Sequence, residues 1–102
     1  MELLNILDGL HIPAAYGKFD KPQKPPFAVY LGEDQTRFFA ENRIYAKKNV
    51  YSLEYYFEKK NSAKEDELEE ALIEDGWTYE KSEDTYIEDE SVFVIYYTVW
   101  RK

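Results

Sequence analysis

The chain has 102 residues and no cysteine, which bounds it to one small domain without disulfides or thiolate metal sites. Its formal charge is −8, with a net of +1 over residues 1–50 and −9 over residues 51–102. An acidic surface of this kind repels phosphate backbones and anionic lipid, so ordinary nucleic-acid binding and membrane binding are both disfavoured. Two acidic roles stay open: a protein that stands near DNA without sticking to it, and a protein that imitates DNA. The longest apolar run, Val92 to Tyr97, is far short of the ~20 residues a membrane helix needs. The opening Met1-Glu2-Leu3-Leu4-Asn5 lacks the basic and apolar regions of a signal peptide, so a reducing cytoplasm is the expected compartment.

The first expected element is a helix over about 2–9. Leu3, Ile6, Leu7 and Leu10 recur at the spacing of one helical face. Gly9 is placed to supply a left-handed C-cap, and His11-Ile12-Pro13 stops the helix. Residues 13–26 form a Pro- and Lys-rich connector, broken by Pro13, Gly17, Pro22, Pro25 and Pro26 and solvated by Lys18, Lys21 and Lys24. Three strands are expected next, over about 27–31, 36–40 and 44–59. Phe27, Val29 and Leu31 share one face of the first. The turn 41–43 contains Asn42, which tolerates positive φ. In the third strand Tyr51, Leu53, Tyr55 and Phe57 alternate with more polar positions, as in an antiparallel strand buried on one side.

A second helix is expected over about 62–75. Ser62 and Glu65 have capping-box spacing, an acidic first turn suits the positive helix end, and Gly76 stands just past the end. Leu68, Ala71 and Leu72 supply its core stripe. A hairpin over about 77–100 closes the chain, with its turn at Glu88-Asp89-Glu90-Ser91. Its last strand is apolar on both faces, Phe93, Ile95, Tyr97 and Val99 against Val92, Val94, Tyr96, Thr98 and Trp100. A strand apolar on both faces is buried on both, or is covered by a partner. The expected fold is one α+β domain spanning 1–102, an antiparallel sheet with two helices packed on one face, in the order α-β-β-β-α-β-β.

Catalytic chemistry is sparse. His11 is the only histidine, and the four glycines sit at turns or helix ends and not in a phosphate loop. No His/Cys metal spacing is possible, and Glu88-Asp89-Glu90 lacks the alternating ligands of a calcium loop. The expectation is therefore a protein that is not an enzyme, takes no cofactor or metal, and acts by binding other macromolecules.

Several stretches resemble a known group of proteins: Leu3-Leu4-Asn5-Ile6-Leu7, Ile12-Pro13 with Ala15-Tyr16-Gly17, and Pro25-Pro26-Phe27-Ala28-Val29-Tyr30. They continue with Phe38-Phe39-Ala40-Glu41-Asn42, Tyr45, Tyr51, Leu53-Glu54-Tyr55-Tyr56, Lys59-Lys60 and Trp77-Thr78-Tyr79-Glu80-Lys81-Ser82. Across nearly its whole length the chain is similar to small prophage proteins of low-GC Gram-positive bacteria, of the tail-terminator or head–tail joining kind found in long-tailed phages. That resemblance implies a ring, a hexamer, that caps the tail tube, docks to the head connector or neck protein, and lets DNA pass an acidic lumen. It places the protein in the bacterial host cytoplasm during assembly and then in the virion tail or neck. The candidate interface is Phe38, Phe39, Tyr45, Tyr96 and Trp100. The candidate acidic surface is Glu65, Asp66, Glu69, Glu88, Asp89 and Glu90. The alternative reading is a small acidic binding protein or DNA mimic that inhibits a host DNA-binding protein.

Overall fold

The computed structural model describes residues 2–32 and 49–101. The element order is α1 (Leu3–Gly9), β1 (Ala14–Tyr16), β2 (Phe27–Gly32), β3 (Asn49–Phe57), α2 (Ser62–Glu74), β4 (Thr78–Lys81), β5 (Thr85–Ile87) and β6 (Val92–Arg101). The strands form one six-stranded sheet in the order β1-β2-β3-β6-β4, with β5 also paired to β6.

The sheet is mixed, which corrects the expected antiparallel sheet and the expected element order. Within the presumed connector 13–26, Ala14–Tyr16 forms a strand parallel to β2, with Ala14 opposite Ala28 and Tyr16 opposite Tyr30. Three residues leave no period-2 pattern to read, so only pairing with β2 makes them a strand. The remaining neighbours are antiparallel, β2 with β3, β3 with β6, and β6 with β4 and β5. The first arm of the closing hairpin is split into β4 and β5. Between them Ser82 turns to bond β6 through its side chain, its Oγ accepting from the Tyr96 N–H at 2.9 Å while its own N–H donates to the Tyr96 carbonyl. The strand expected at 36–40 and the first residues of the strand expected at 44–59 lie outside the described residues.

Both helices lie on one face of the sheet, and the core is the layer between. Leu3, Ile6 and Leu7 of α1 and Leu68 and Leu72 of α2 meet Ala28, Leu53, Tyr55, Phe57, Ile95, Tyr97 and Val99. All these strand residues share a face, because Ala28 stands opposite Tyr55 and Tyr55 opposite Ile95. In β2 it is therefore Ala28 and Tyr30 that face the helices, and the larger Phe27, Val29 and Leu31 face away.

Both helices end in the same hydrogen-bond pattern. After α2, Gly76 at φ 85° is the left-handed residue; its N–H bonds the Ile73 carbonyl, and the Trp77 N–H bonds that of Leu72. After α1 the left-handed residue is His11 at φ 60°, and not Gly9, which is the last helical residue. The His11 N–H bonds the Asp8 carbonyl and the Ile12 N–H that of Leu7. These are two Schellman motifs, each sealed by an apolar pair, Trp77 with Leu72 and Ile12 with Leu7. The register is set by those pairs, since all four side chains are core.

The N-terminus of α2 also departs from expectation. The N-cap is Asn61, whose Oδ1 accepts from the Lys64 N–H at 3.1 Å. Ser62 is thus the first helical residue, and Ser62 with Glu65 is no capping box. Glu65 falls instead on the core stripe with Leu68 and Leu72, one and two turns on.

Candidate assembly surfaces

Two groups of side chains stand out from the core. The first is a charged network where α2 crosses β4 and β6. Glu65 is 4 % exposed. The Lys60 ammonium donates to its Oε1 at 2.9 Å and lies 2.8 Å from its Oε2. The second approach is an ion pair by distance but is off-axis for a hydrogen bond, so Oε2 has no aligned donor among the described residues. Lys60 reaches across to Asp84 at 3.0 Å. One turn along α2, Glu69 accepts from Lys81 at 2.7 Å, the Tyr97 hydroxyl at 2.7 Å and the Tyr79 hydroxyl at 3.1 Å.

This network is structural chemistry. Burial pushes the Glu69 carboxyl up, but the Lys81 and Tyr97 hydrogen bonds, the Lys81 charge and the Tyr79 hydrogen bond outweigh it and hold the group below its ordinary value. Burial, and then the hydrogen bond to Glu69, push the Tyr97 hydroxyl far up. The hydrogen bond to Glu69 raises Lys81. Glu69 thus stays ionised and Tyr97 and Lys81 stay protonated around neutral pH, as their hydrogen bonds require. Among the described residues no group of three or more His, Asp or Glu is arranged to hold a metal ion.

The second group is the sheet face turned away from the helices. It carries Phe27, Val29 and Leu31 of β2, Tyr56 of β3, and Val92, Val94, Tyr96 and Trp100 of β6, placed together by the register. Phe27 stacks on Tyr56 with ring centroids 4.8 Å apart, and Phe19 meets Phe27 edge-on at 5.6 Å. The arm 17–25 stands beside this end of the face and leaves a cleft of ≈ 590 Å³ with the Phe27–Tyr56 stack on one wall. Lys18 and Lys21 line one side, and Glu54, Glu58 and Glu90 the other. Glu54 is held by the Tyr56 hydroxyl at 2.6 Å. Further along the face Leu31 is 46 % and Tyr96 45 % exposed, while Trp100 is half-buried.

The expected site residues distribute unevenly over these groups. Tyr96 and Trp100 are both on the helix-free face. Phe38, Phe39 and Tyr45 lie outside the described residues. Asp66, Glu88, Asp89 and Glu90 are exposed. Glu65 is buried, and Glu69 keeps only 14 % of its side chain exposed, which corrects their assignment to the acidic surface. Lys60 stands just ahead of α2 and Lys81 comes from β4, so spacing within the helix alone could not reveal the pairing. Phe27 and Tyr56 were not singled out as surface residues; which face of β2 the helices cover follows from the register of Ala28 with Tyr55, which local sequence does not carry.

No family model, curated protein or solved structure matches the chain. A reading of its function therefore rests on its own residues and surfaces. No helix among the described residues is long and apolar enough to cross a membrane.

Proposed function

We propose that the protein is a noncatalytic assembly protein of a long-tailed phage, a ring-forming tail terminator or head–tail joining protein that caps the tail tube and docks to the head connector. The observation that carries this reading is the helix-free sheet face, an aromatic surface around Phe27, Tyr56, Tyr96 and Trp100 that no helix among the described residues covers. Exposed aromatic and apolar side chains gathered on one face, here interleaved with Ser52, Glu54 and Thr98, suit a face that another protein covers in the working state. The whole-length resemblance described above supplies the identity of the assembly, a hexameric ring contacting tube and neck proteins. Exposed carboxylates at Asp66, Glu88, Asp89 and Glu90 suit a ring through which DNA slides without sticking. The DNA-mimic alternative is weakened because Glu65 and Glu69 are tied up within the fold and present no surface charge.

The test is tail length. Deleting the gene from the phage genome, inducing, and imaging the lysate by negative-stain electron microscopy should give overlong or headless tails. Tails of normal length on infectious particles would remove this reading and bring the acidic-inhibitor reading forward.

A further inference from the structure

Among the described residues the sheet has two unpaired edges, and the chain beside them carries opposite charge. Among the described residues β1 pairs only with β2, and β4 and β5 pair only with β6. Each edge turns alternate backbone groups outward, ready to pair with another strand. The arm that leaves β1, whose Lys18 and Lys21 also form the β1-side wall of the cleft, carries exposed Lys18, Lys21 and Lys24 against one acid, Asp20. No ion pair among the described residues uses those lysines. The opposite edge carries Glu80, Glu83 and Asp84, and continues into the turn residues Glu88 and Asp89. Its one lysine, Lys81, is bound to Glu69, and Asp84 alone among these acids has a cation, Lys60.

Strand direction adds a second constraint. β1 is parallel to β2, and each later step, β2 to β3, β3 to β6 and β6 to β4, reverses direction. β1 and β4 therefore run opposite ways. A second copy set beside the first in the same orientation brings its β1 antiparallel to β4, the more favourable pairing, and keeps all helices on one side. The edges also meet at one height, because a single row of paired residues crosses the sheet from Tyr16 through Tyr30, Leu53 and Tyr97 to Lys81. The two self-symmetric alternatives, β4 on β4 and β1 on β1, would set like charges against each other.

We infer that a second copy of this chain docks edge to edge, its basic β1 edge pairing antiparallel with the acidic β4 edge of the first, and that repetition of this contact builds the ring. The inference rests on the ring reading above and names the surface that makes it. The contact is heterologous, so each copy uses both edges and the array closes when the rotation per copy divides a full turn. Each ladder is short, and closure is what makes it stable, since the last contact forms within an already joined array. All helix-free faces then turn the same way, toward one side of the ring wall.

Charge reversal tests this with the full chain. One variant carries Lys18→Glu, Lys21→Glu and Lys24→Glu; a second carries Glu80→Lys and Glu83→Lys; a third carries both sets. All five positions are exposed, and far-ultraviolet circular dichroism checks that each variant folds. Size exclusion with light scattering, from micromolar to millimolar protein, should show the wild type assembling. Each single-edge variant should need about tenfold or more protein to assemble, because its two edges now repel. An equal mixture of the two single-edge variants, and the doubly reversed chain, should recover assembly, because complementary edges meet again. Undiminished assembly of both single-edge variants overturns the edge pairing and leaves the ring reading standing. Failure of the mixture and of the doubly reversed chain to recover also overturns it. A wild type monomeric throughout overturns the edge pairing, and the ring reading then stands or falls with the tail-length phenotype.

Discussion

On the helix side of the sheet, Leu53, Tyr55, Phe57, Ile95, Tyr97 and Val99 are each at most 2 % exposed, whereas on the other side Tyr96 and Leu31 remain 45 % and 46 % exposed. The two faces are similarly aromatic. What separates them is cover: among the described residues α1 and α2, 7 and 13 residues long, both lie on one side, whereas on the other side Val50, Val92 and Val94 are buried while Tyr96 and Leu31 stay open. A period-2 apolar pattern in β6 is thus equally strong for a closed face and for an open one. A sheet face becomes core when another element crosses it, and a face left uncovered is available for a partner.

The most direct way to break the comparison is to truncate neighbours of one strand. Phe57 and Tyr56 are adjacent in β3 and point to opposite faces. Phe57→Ala should cost about 3–5 kcal/mol of stability, the loss expected for a buried aromatic. Tyr56→Ala should cost about 1 kcal/mol, because its ring is only half covered. Urea unfolding of the two variants reads this directly, and equal costs would mean that both faces are core.

The charged network sharpens the comparison by asking what closes the helix side at its rim. Lys60→Met leaves Glu65 inside with only Lys81, 3.7 Å away, and should cost about 1–3 kcal/mol, below the full value for a buried pair because Lys60 is itself half exposed. Glu65→Leu, which continues the apolar stripe of Leu68 and Leu72, should cost less. Denaturation midpoints that rank the two variants in the opposite order would show that the carboxylate, and not its neutralisation, holds α2 down.

The pH profile reads the charged network of the helix side through its titrating groups. Glu69 is held below its ordinary value, so its contribution is present above the unfolded carboxylate range near pH ~4 and is lost as pH falls through the lower folded value. Tyr97 and Lys81 are raised. Their contribution is complete below the unfolded values near pH ~10 and is lost as pH rises toward the folded ones. Stability should therefore hold between these limits and fall on both sides. Tyr97→Phe should cost about 1 kcal/mol at neutral pH through its lost hydrogen bond, and it should flatten the alkaline limb. Thermal melts across pH check both effects; an unchanged alkaline limb would remove Tyr97 from the account.

The smallest effects lie at the ends of the covering helices. Asn61→Ala should cost about 0.5–2 kcal/mol and Ser62→Ala only a few tenths, since Asn61 is the cap. Gly9→Ala should stabilise by up to about 1 kcal/mol, because Gly9 is helical and a Cβ there meets nothing within 4 Å. Thermal midpoints decide both; a Ser62 cost equal to that of Asn61 would restore the capping box.

How much of this was legible follows from the kind of signal each residue carried. The alternation of Tyr51, Leu53, Tyr55 and Phe57 and the 3.6-residue spacing of Leu3, Ile6, Leu7, Leu68 and Leu72 are local periodicities, and they mark strands, helices and the core-facing set without further help. Gly76 was legible for a different reason, since only glycine takes positive φ freely, whereas His11 takes it against propensity because Ile12 must reach the core. Asn61 and Ser62 are both good caps, and neighbouring sequence does not choose between them. At the candidate surfaces the aromatic excess of β6 was visible, but the open stack of Phe27 on Tyr56 was not, and Glu65 and Glu69 read as solvated charge.

The sequence by itself determined both helices, the strands after residue 49 and β2, the aromatic content of the sheet and the lopsided charge, because these depend on composition and on spacing within one segment. Only the tertiary structure decided that Ala14–Tyr16 joins the sheet in parallel, that Glu65 and Glu69 turn inward onto Lys60 and Lys81, and which of two apolar faces the helices cover. Each of those outcomes requires one element to pack against another, and the free energy that selects them exists only once they have met.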